Sequence, residues 1–349
     1  MHLPPCHESW VIEVHDESAV GQARRAARAL AEAIDLGTDD AGRVAIMVTE
    51  LATNVHRHGR GGELLLRPLV VGGKAGVEIL ALDRGPGMAN VAQCLQDGYS
   101  TGGTRGAGLG AVMRQASQFD VYSRPEQGTA IVARRLVAPA PPSALGVVCR
   151  AMPGEDVSGD AWSVNLDSDA GTFLVVDGLG HGPLAAAAAR AATATFSECA
   201  DRDPVGVVQA VHEALRPTRG AAVGVLRVRW AEGGAQYVGV GNIAAHLLHD
   251  RDSRSLVSQN GTAGMQAPRI QAFDYAWLPG GLIVLHSDGL RSRWSLDPYP
   301  GLAMRDPALI AGVLYRDFFR STDDATVLVA CEPPRQCRPT SATLNAAAP

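Results

Sequence analysis

Phe173-Leu174-Val175-Val176-Asp177-Gly178-Leu179-Gly180-His181-Gly182 reads as a hydrophobic strand that ends on a carboxylate, runs into a glycine-rich turn and opens an alanine-rich helix near Pro183. A strand delivers Asp177 from a rigid element, and the glycines let the backbone pass close to whatever that carboxylate holds. The pattern returns in Ile283-Val284-Leu285-His286-Ser287-Asp288-Gly289. Thr322-Asp323-Asp324-Ala325-Thr326 precedes the strand Val327–Ala330, and Gly159-Asp160 lies upstream. A single Asp-Gly reads as a β-turn, but Asp160, Asp177, Asp288 and Asp323 each mark a strand boundary. Gathered at one end of a sheet they would repel one another strongly without cations between them. Such a set predicts a site for the hard cations Mg2+ or Mn2+, with a shared carboxylate bridging two ions and the Gly178 carbonyl as a further oxygen ligand.

Around these sites the pattern is strand-heavy. Strands are expected at 144–149, 161–166, 172–176, 221–230, 235–240, 244–248, 282–285 and 325–330, and helices at 184–199, 204–215 and 307–319. Antiparallel strands with paired helices predict an α/β sandwich, sheets inside and helices outside. Pro139, Pro141 and Pro142 make 138–143 a stiff linker, so this domain is expected over 144–333. A disordered tail is expected over 334–349. His212, His246 and His249 show no metal spacing, and Trp162, Trp230, Trp277 and Trp294 read as packing residues.

The region before the linker, 1–137, has its own logic. Trp10–Val14 reads as a strand and Ser18–Ile34 as a helix with Ala19, Ala23, Ala26, Ala27 and Leu30 on one side. After Gly37, Thr38 or Asp39 is expected to cap a second helix running to about Arg57. On it Glu50, Asn54 and His58 fall at i, i+4 and i+8 and share a face. Two strands follow, 64–66 and 77–82, the second ending in Asp83-Arg84-Gly85-Pro86-Gly87. The run Gly102–Gly110, with Gly106, Gly108, Leu109 and Gly110, then opens a helix. Strands near 119–122 and 129–133 close the region. A glycine-rich turn at a helix N-terminus suits phosphate. No Lys-Ser or Lys-Thr follows Gly110, so it is not a Walker A loop, and its position in the chain excludes a Rossmann fingerprint.

The ordered set Glu50-x-x-x-Asn54, Asp83-x-Gly85-x-Gly87 and Gly106-x-Gly108-x-Gly110 resembles the GHKL ATPases, and within them the serine-kinase and anti-sigma-factor branch of RsbT and RsbW. The resemblance implies a Bergerat-type α/β sandwich holding ATP with Mg2+. Asn54 would hold Mg2+ and Glu50 would orient or deprotonate the attacking hydroxyl or water. His58 would lie in the same nucleotide site. Asp83 would accept the adenine amino group, Gly85 and Gly87 would shape the pocket, and Gly106, Gly108, Leu109 and Gly110 would wrap the phosphates, with Thr129 near the base. The second region is similar to the PPM-type serine/threonine phosphatases of the SpoIIE and RsbX branch, through Ser158-Gly159-Asp160, Val176–Gly182, Val240-Gly241-Asn242, His286–Gly289 and Thr322–Thr326. That likeness implies an αββα sandwich in which catalytic Asp177 bridges two Mn2+ or Mg2+ ions. Gly178 adds its carbonyl, Asp160 serves one ion, and Asp288 and Asp323 serve the other. Two departures stand out. Trp162 occupies a position that is often acidic, and no arginine matches the phosphate-gripping residue of the larger eukaryotic enzymes.

The expected chain is thus a two-domain α/β protein. Its 349 residues exceed what one core usually serves. A net charge of −5 gives no electrostatic case for nucleic acid. Six scattered cysteines without a CxxC pair, together with the absence of an export signal or a membrane span in the sequence, predict a reducing cytoplasm. The two resemblances imply action on STAS-domain antagonist proteins of a bacterial partner-switching pathway, with a sigma factor or a diguanylate-cyclase-type effector as a further partner. In that reading phosphoserine or phosphothreonine is hydrolysed directly, without a phosphoenzyme. The rival is an ATP-binding anti-sigma or STAS-docking regulator with a degenerate phosphatase domain.

Overall fold

Asp16 starts the first helix by accepting the Ala19 N–H at 3.1 Å, the usual way of satisfying an orphan donor at a helix N-terminus. The computed structural model describes residues 8–71, 74–96, 108–166, 169–199, 203–267, 269–333 and 342–344. Contacts divide the chain into two units. The first is Met1–Pro142 with Met304–Arg316, and the second is Ser143–Ala303 with Asp317–Pro349.

The first unit contains β1 (Trp10–Val14), α1 (Glu17–Ala33), α2 (Thr38–His58), β2 (Gly62–Val71), β3 (Lys74–Asp83), α3 (Val91–Cys94), α4 (Gly108–Gln115), β4 (Gln118–Ser123) and β5 (Thr129–Leu136). The cap of α2 differs from expectation. Gly37, at φ +82°, takes the capping position without a side-chain bond, and Thr38 and Asp39 lie inside the first turn. There Asp39 and Asp40 favour the positive end of the helix dipole. The strands form one antiparallel sheet in the order β1-β2-β3-β5-β4. One face carries Leu64, Leu66, Ile79, Ala81, Ile131 and Ala133 and packs against Ala23, Leu30, Met47, Leu51 and Val112 of the helices.

The other face holds a sequence-distant element. Met304–Arg316, which includes most of the later helix at Pro307–Phe318, groups with this unit although sequence order put it in the second domain. Its Gly312 lies so close to the sheet that a Cβ there would stand 2.8 Å from a Leu80 methyl. Charges buried on the same face secure the segment. Arg67 donates to Glu78 at 2.7 Å, Arg134 Nε donates to the other Glu78 oxygen at 2.7 Å, and the far side of Arg134 forks onto Asp306 at 2.5 and 2.7 Å. Burial alone would raise the Glu78 pKa, yet the two guanidinium groups hold it below the ordinary value. The linker region is also held, since Gln118 Nε2 donates to the Ala140 and Pro141 carbonyls.

The second unit contains β6 (Leu145–Arg150), β7 (Asp160–Leu166), β8 (Ala170–Gly178), α5 (Pro183–Cys199), α6 (Pro204–Leu215), β9 (Ala221–Arg229), β10 (Gly234–Val240), β11 (Ala244–His249), β12 (Asp252–Ser255), β13 (Ser258–Gln259), β14 (Phe273–Ala276) and β15 (Leu282–His286). The chain then passes through the helix at Pro307–Phe318, here α7, to β16 (Ala325–Cys331) and β17 (Ala342–Leu344). One sheet runs β13-β10-β9-β8-β7-β17, with β14 on β10, and the other β12-β11-β15-β16-β6. Their facing sides share a core of Trp162, Phe173, Val175, Leu226, Tyr237, Ala245, Leu285 and Leu328. The outer side of the first sheet packs Leu174, Val176, Val223 and Val225 against Ala188, Phe196, Val208 and Val211 of α5 and α6. Residues 342–344 pair as a strand with β7 inside the stretch expected to be a disordered tail, most of which lies outside the described residues. Among the described residues no helix is long and apolar enough to cross a membrane.

Breaking a buried ion pair strands a charge, so Glu78→Gln or Arg134→Met is expected to lower the stability of the first unit by about 3–5 kcal/mol in urea unfolding. Because the Glu78 pKa is depressed on folding, its contribution is present above about pH 4.5 and is lost as pH falls through the lower folded value. The native-to-Glu78→Gln difference should shrink in acid.

Candidate functional site

In the second unit β7 and β8 are antiparallel, and their register sets Asp160 directly opposite Asp177. Alternation turns both carboxylates to the side that carries Trp162 and Val175. From the other sheet, β15 and β16 pair His286 with Val327, which brings Asp288 and Asp323, just outside those strands, to one end. A hydroxyl joins the two sheets. Ser287 Oγ donates to Asp160 Oδ2 at 2.5 Å and accepts the Thr326 N–H at 3.0 Å. Gly178 and Gly289 have steric reasons to be glycine, because a Cβ would overlap the Ala185 carbonyl in one case and the Asp324 carbonyl in the other.

Electrostatics shows that the carboxylates converge. Burial raises the pKa of Asp177 well above the ordinary value, and Asp160, Asp288, Asp323 and Asp324 each add to the rise. Asp160 is also raised, first by burial and then by Asp324, against the hydrogen bond from Ser287. Asp288 is raised by burial and by Asp323, although Asn242 donates to it at 2.7 Å. Among the described residues no three such side chains close into a finished coordination shell as they stand. The donor set nevertheless fits divalent cations, since the oxygens are hard and the charges mutually repulsive. Asp160 Oδ1 is also buried with no hydrogen-bond partner.

Residues around this centre have other work. Asp324 accepts the N–H groups of Met152 at 2.7 Å and Gly159 at 2.9 Å, fixing the approach to Asp160. His181 Nδ1 pairs with Glu155 Oε1 at 2.6 Å. Trp162, where a carboxylate is common, is 6% exposed and belongs to the core between the sheets.

The first unit gathers a second site where the C-terminal ends of α2 and β3 meet. Asp83 Oδ1 accepts from Gly85 N–H at 2.8 Å and Thr129 N–H at 3.1 Å, while Arg316 donates to the Asp83 carbonyl at 2.9 Å. Burial raises the Asp83 pKa against these donors. Gly85 and Gly87 shape the turn beyond it, and Gly87 has φ +66°. Thr129 is buried and its hydroxyl is shared with Ser123 at 2.9 Å. Glu50 and Asn54 lie on α2. Burial raises the Glu50 pKa, and Asn54 Nδ2 is buried without a partner, an amide free to meet a ligand. His58, at the end of α2, is exposed. Glu50 also borders a cleft of about 820 Å3 between α1 and α2, which none of Asn54, Asp83 and Thr129 lines. Gly108, Leu109 and Gly110 open α4, while Gly106 lies outside the described residues. The supporting role of Arg316 has no signal in the local sequence.

Comparison with known proteins also gives two matches, the second of which runs through Met304–Arg316, the segment that contacts group with the first unit. The family described as "Histidine kinase-like ATPase domain" matches residues 14–135, and "Stage II sporulation protein E (SpoIIE)" matches residues 167–331. The serine/threonine-protein kinase RsbT of Bacillus subtilis (strain 168) is 33% identical over 122 residues, 35% of this chain and 92% of that one. The phosphoserine phosphatase RsbX of the same organism is 24% identical over 139 residues, 39% of this chain and 69% of that one. A chain from a solved structure described as the bacterial stressosome, a modular system adapted to control secondary messenger signaling, is 30% identical with a TM-score of 0.50. That match covers 54% of this chain and 98% of the other.

Raised carboxylate pKa values carry a stability cost with a definite sign. Folding favours the protonated acid, so stability is present below about pH 4 and lost as pH rises. In chelator-treated protein at pH 8, Asp177→Asn is therefore expected to melt higher than the native chain. Relief equivalent to one pKa unit is about 1.4 kcal/mol, or roughly 3–5 °C. The gain should vanish at pH 4, and added Mn2+ should raise the melting temperature of the native chain more than that of the variant.

Proposed function

This chain belongs to the RsbT-like GHKL ATPases in its first unit and to the SpoIIE- and RsbX-like PPM-type protein serine/threonine phosphatases in its second, and from that premise we propose that it dephosphorylates STAS-domain regulators in a bacterial partner-switching pathway. The observation that carries the reading is the mutually repelling group of buried Asp160 and half-buried Asp177, Asp288 and Asp323 at facing sheet ends. Asp160, Asp177, Asp288 and Asp323, with the Gly178 carbonyl as a further oxygen, would hold two Mn2+ or Mg2+ ions, Asp177 serving both, Asp160 one, and Asp288 and Asp323 the other. Bound there, the ions supply Lewis-acid stabilisation of the phosphoryl oxygens and an activated water. The protein contributes position. Ser287 fixes one Asp160 oxygen and leaves the other free, Asn242 orients Asp288, and Asp324 holds the Gly159 backbone.

The first unit would bind ATP with Mg2+ and either act as a protein serine kinase on the same class of partner or gate the phosphatase. Asp83 receives the adenine amino group, with Gly85, Gly87 and Thr129 around the base. Asn54 would hold Mg2+, and Gly108, Leu109 and Gly110 at the start of α4 would meet the phosphates beside His58. The raised pKa of Glu50 suits a general base that takes the serine proton. A sigma factor or a diguanylate-cyclase-type effector is the downstream partner. One observation favours a second reading, in which the chain is an ATP-binding regulator with an inactive phosphatase half. Trp162 sits in the core and offers no ligand.

Hydrolysis of a serine-phosphorylated STAS protein separates the two readings. With Mn2+ the native chain is expected to release phosphate, and Asp177→Asn to fall by at least about a hundredfold. No release from the native chain with either Mn2+ or Mg2+ would leave only the regulator. ATP binding, followed by calorimetry, should be lost in Asp83→Asn, because the carboxylate oxygen free to accept the amino group becomes an amide.

A further inference from the structure

We propose that Arg219 grips the phosphoryl group of the substrate, an inference that rests on the phosphatase reading of the second unit.

Arg219 lies in the turn between α6 and β9, and that turn is locked to the strand bearing Asp177. Asp177 is the register partner of Ala222, and Gly178 of Ala221. The pairing continues one step further, because Leu179 N–H donates to the Gly220 carbonyl at 3.0 Å. Thr218 fixes the turn from the other side. Its hydroxyl donates to the Leu215 carbonyl at 2.7 Å and accepts the Gly220 N–H at 3.0 Å. Ala221 is tied to Ala263 by two backbone bonds of 3.0 and 2.8 Å. Arg219 precedes β9 by two residues and so is held within about 11 Å of the position opposite Asp177.

The guanidinium turns back over the metal-site turn. A Cβ built on Gly180 would lie 3.3 Å from Arg219 Nη1, so the cation covers the loop that leaves Asp177. Gly180 has φ +86°, a left-handed conformation that keeps this position free of a side chain beneath the guanidinium.

Two other polar side chains at the rim are engaged, His181 with Glu155 and Asn242 with Asp288, while Arg320 is a second exposed cation whose charge acts on Asp288 and His286. Arg219 is exposed and forms no hydrogen bond or ion pair among the described residues. A phosphoryl group approaching several carboxylates needs a cation on its outer side, and a planar guanidinium fits two phosphate oxygens at once.

Inorganic phosphate is the probe that isolates this role. Calorimetric titration into the Mn2+-loaded full chain should show Arg219→Ala weakening phosphate binding about tenfold, the effect of losing a charge-assisted hydrogen bond. For p-nitrophenyl phosphate the same variant should raise KM about tenfold and change kcat by less than twofold, because the contact is made in ground and transition states alike. Arg219→Lys should recover part of the affinity, and Mn2+ affinity should stay at the native value in both variants. Unchanged phosphate affinity in Arg219→Ala, or a matching loss of Mn2+ affinity that marks a merely structural role, would overturn the assignment. If the native chain releases no phosphate from any substrate while Arg219→Ala still weakens phosphate binding, the anion site stands and the phosphatase reading falls.

Discussion

Two carboxylates placed directly opposite each other on neighbouring strands are the constraint around which the second unit is built. Cross-strand partners sit about 5 Å apart, and like charges there destabilise a sheet. Asp160 and Asp177 occupy such a pair, the first buried and the second half-buried, with Asp288 and Asp323 adding to the repulsion. The sheet tolerates this because the rest of β7 and β8 is committed to two cores. Trp162, Val164, Phe173 and Val175 face the second sheet, and Ala161, Leu174 and Val176 face α5 and α6. Charge is confined to the strand end, where one residue of slippage would bury it in either core.

The first unit meets the same physics with the opposite solution. Glu78 is deeply buried, yet Arg67 and Arg134 neutralise it, and its pKa falls where that of Asp177 rises. A carboxylate whose charge is already matched has no need of a metal or substrate, and this one serves to fasten the segment carrying Asp306 against the sheet. Asp83 stands between these extremes. Its Oδ1 is held by two backbone N–H groups, while burial still raises its pKa. It is oriented without being neutralised, as a group that must accept a hydrogen bond from a ligand should be.

What could be read from the sequence followed from periodicity and punctuation. Apolar runs ending in Asp-Gly located both sheets of the second unit, and the four-residue spacing of Glu50, Asn54 and His58 fixed a helix face. Elements without such a pattern went unread. All four residues of β12 are exposed, and β13 has two residues, so neither interrupts a hydrophobic run. The apolar sequence of α7 signals burial on every side but not against which sheet. Arg134 reaching Asp306, Gly312 lying on Leu80 and Arg316 reaching the Asp83 carbonyl group most of it with the first unit. Arg219 and Arg316 act across turns and between distant segments, where spacing carries no information. Trp162 could be named as a departure, but its burial between the sheets needed the fold.

Unsatisfied polar atoms sharpen the distinction between a site and a core. Asn54 Nδ2 and Asp160 Oδ1 are buried without partners, but so are the indole nitrogens of Trp230 and Trp277. The two tryptophans pack edge to face, with centroids 5.6 Å apart, in an apolar core where aromatic contact offsets the loss. Asp160 has no such offset, since the Ser287 hydroxyl binds its other oxygen and nearby carboxylates add repulsion. Asn54 lies on the helix face it shares with Glu50, whose pKa burial has already raised. An orphaned atom therefore marks a ligand site only where the surrounding charge also remains unbalanced. By that criterion the Asp160–Asp177 strand end is the most incomplete place in the fold, and a divalent cation is the species whose charge would complete it.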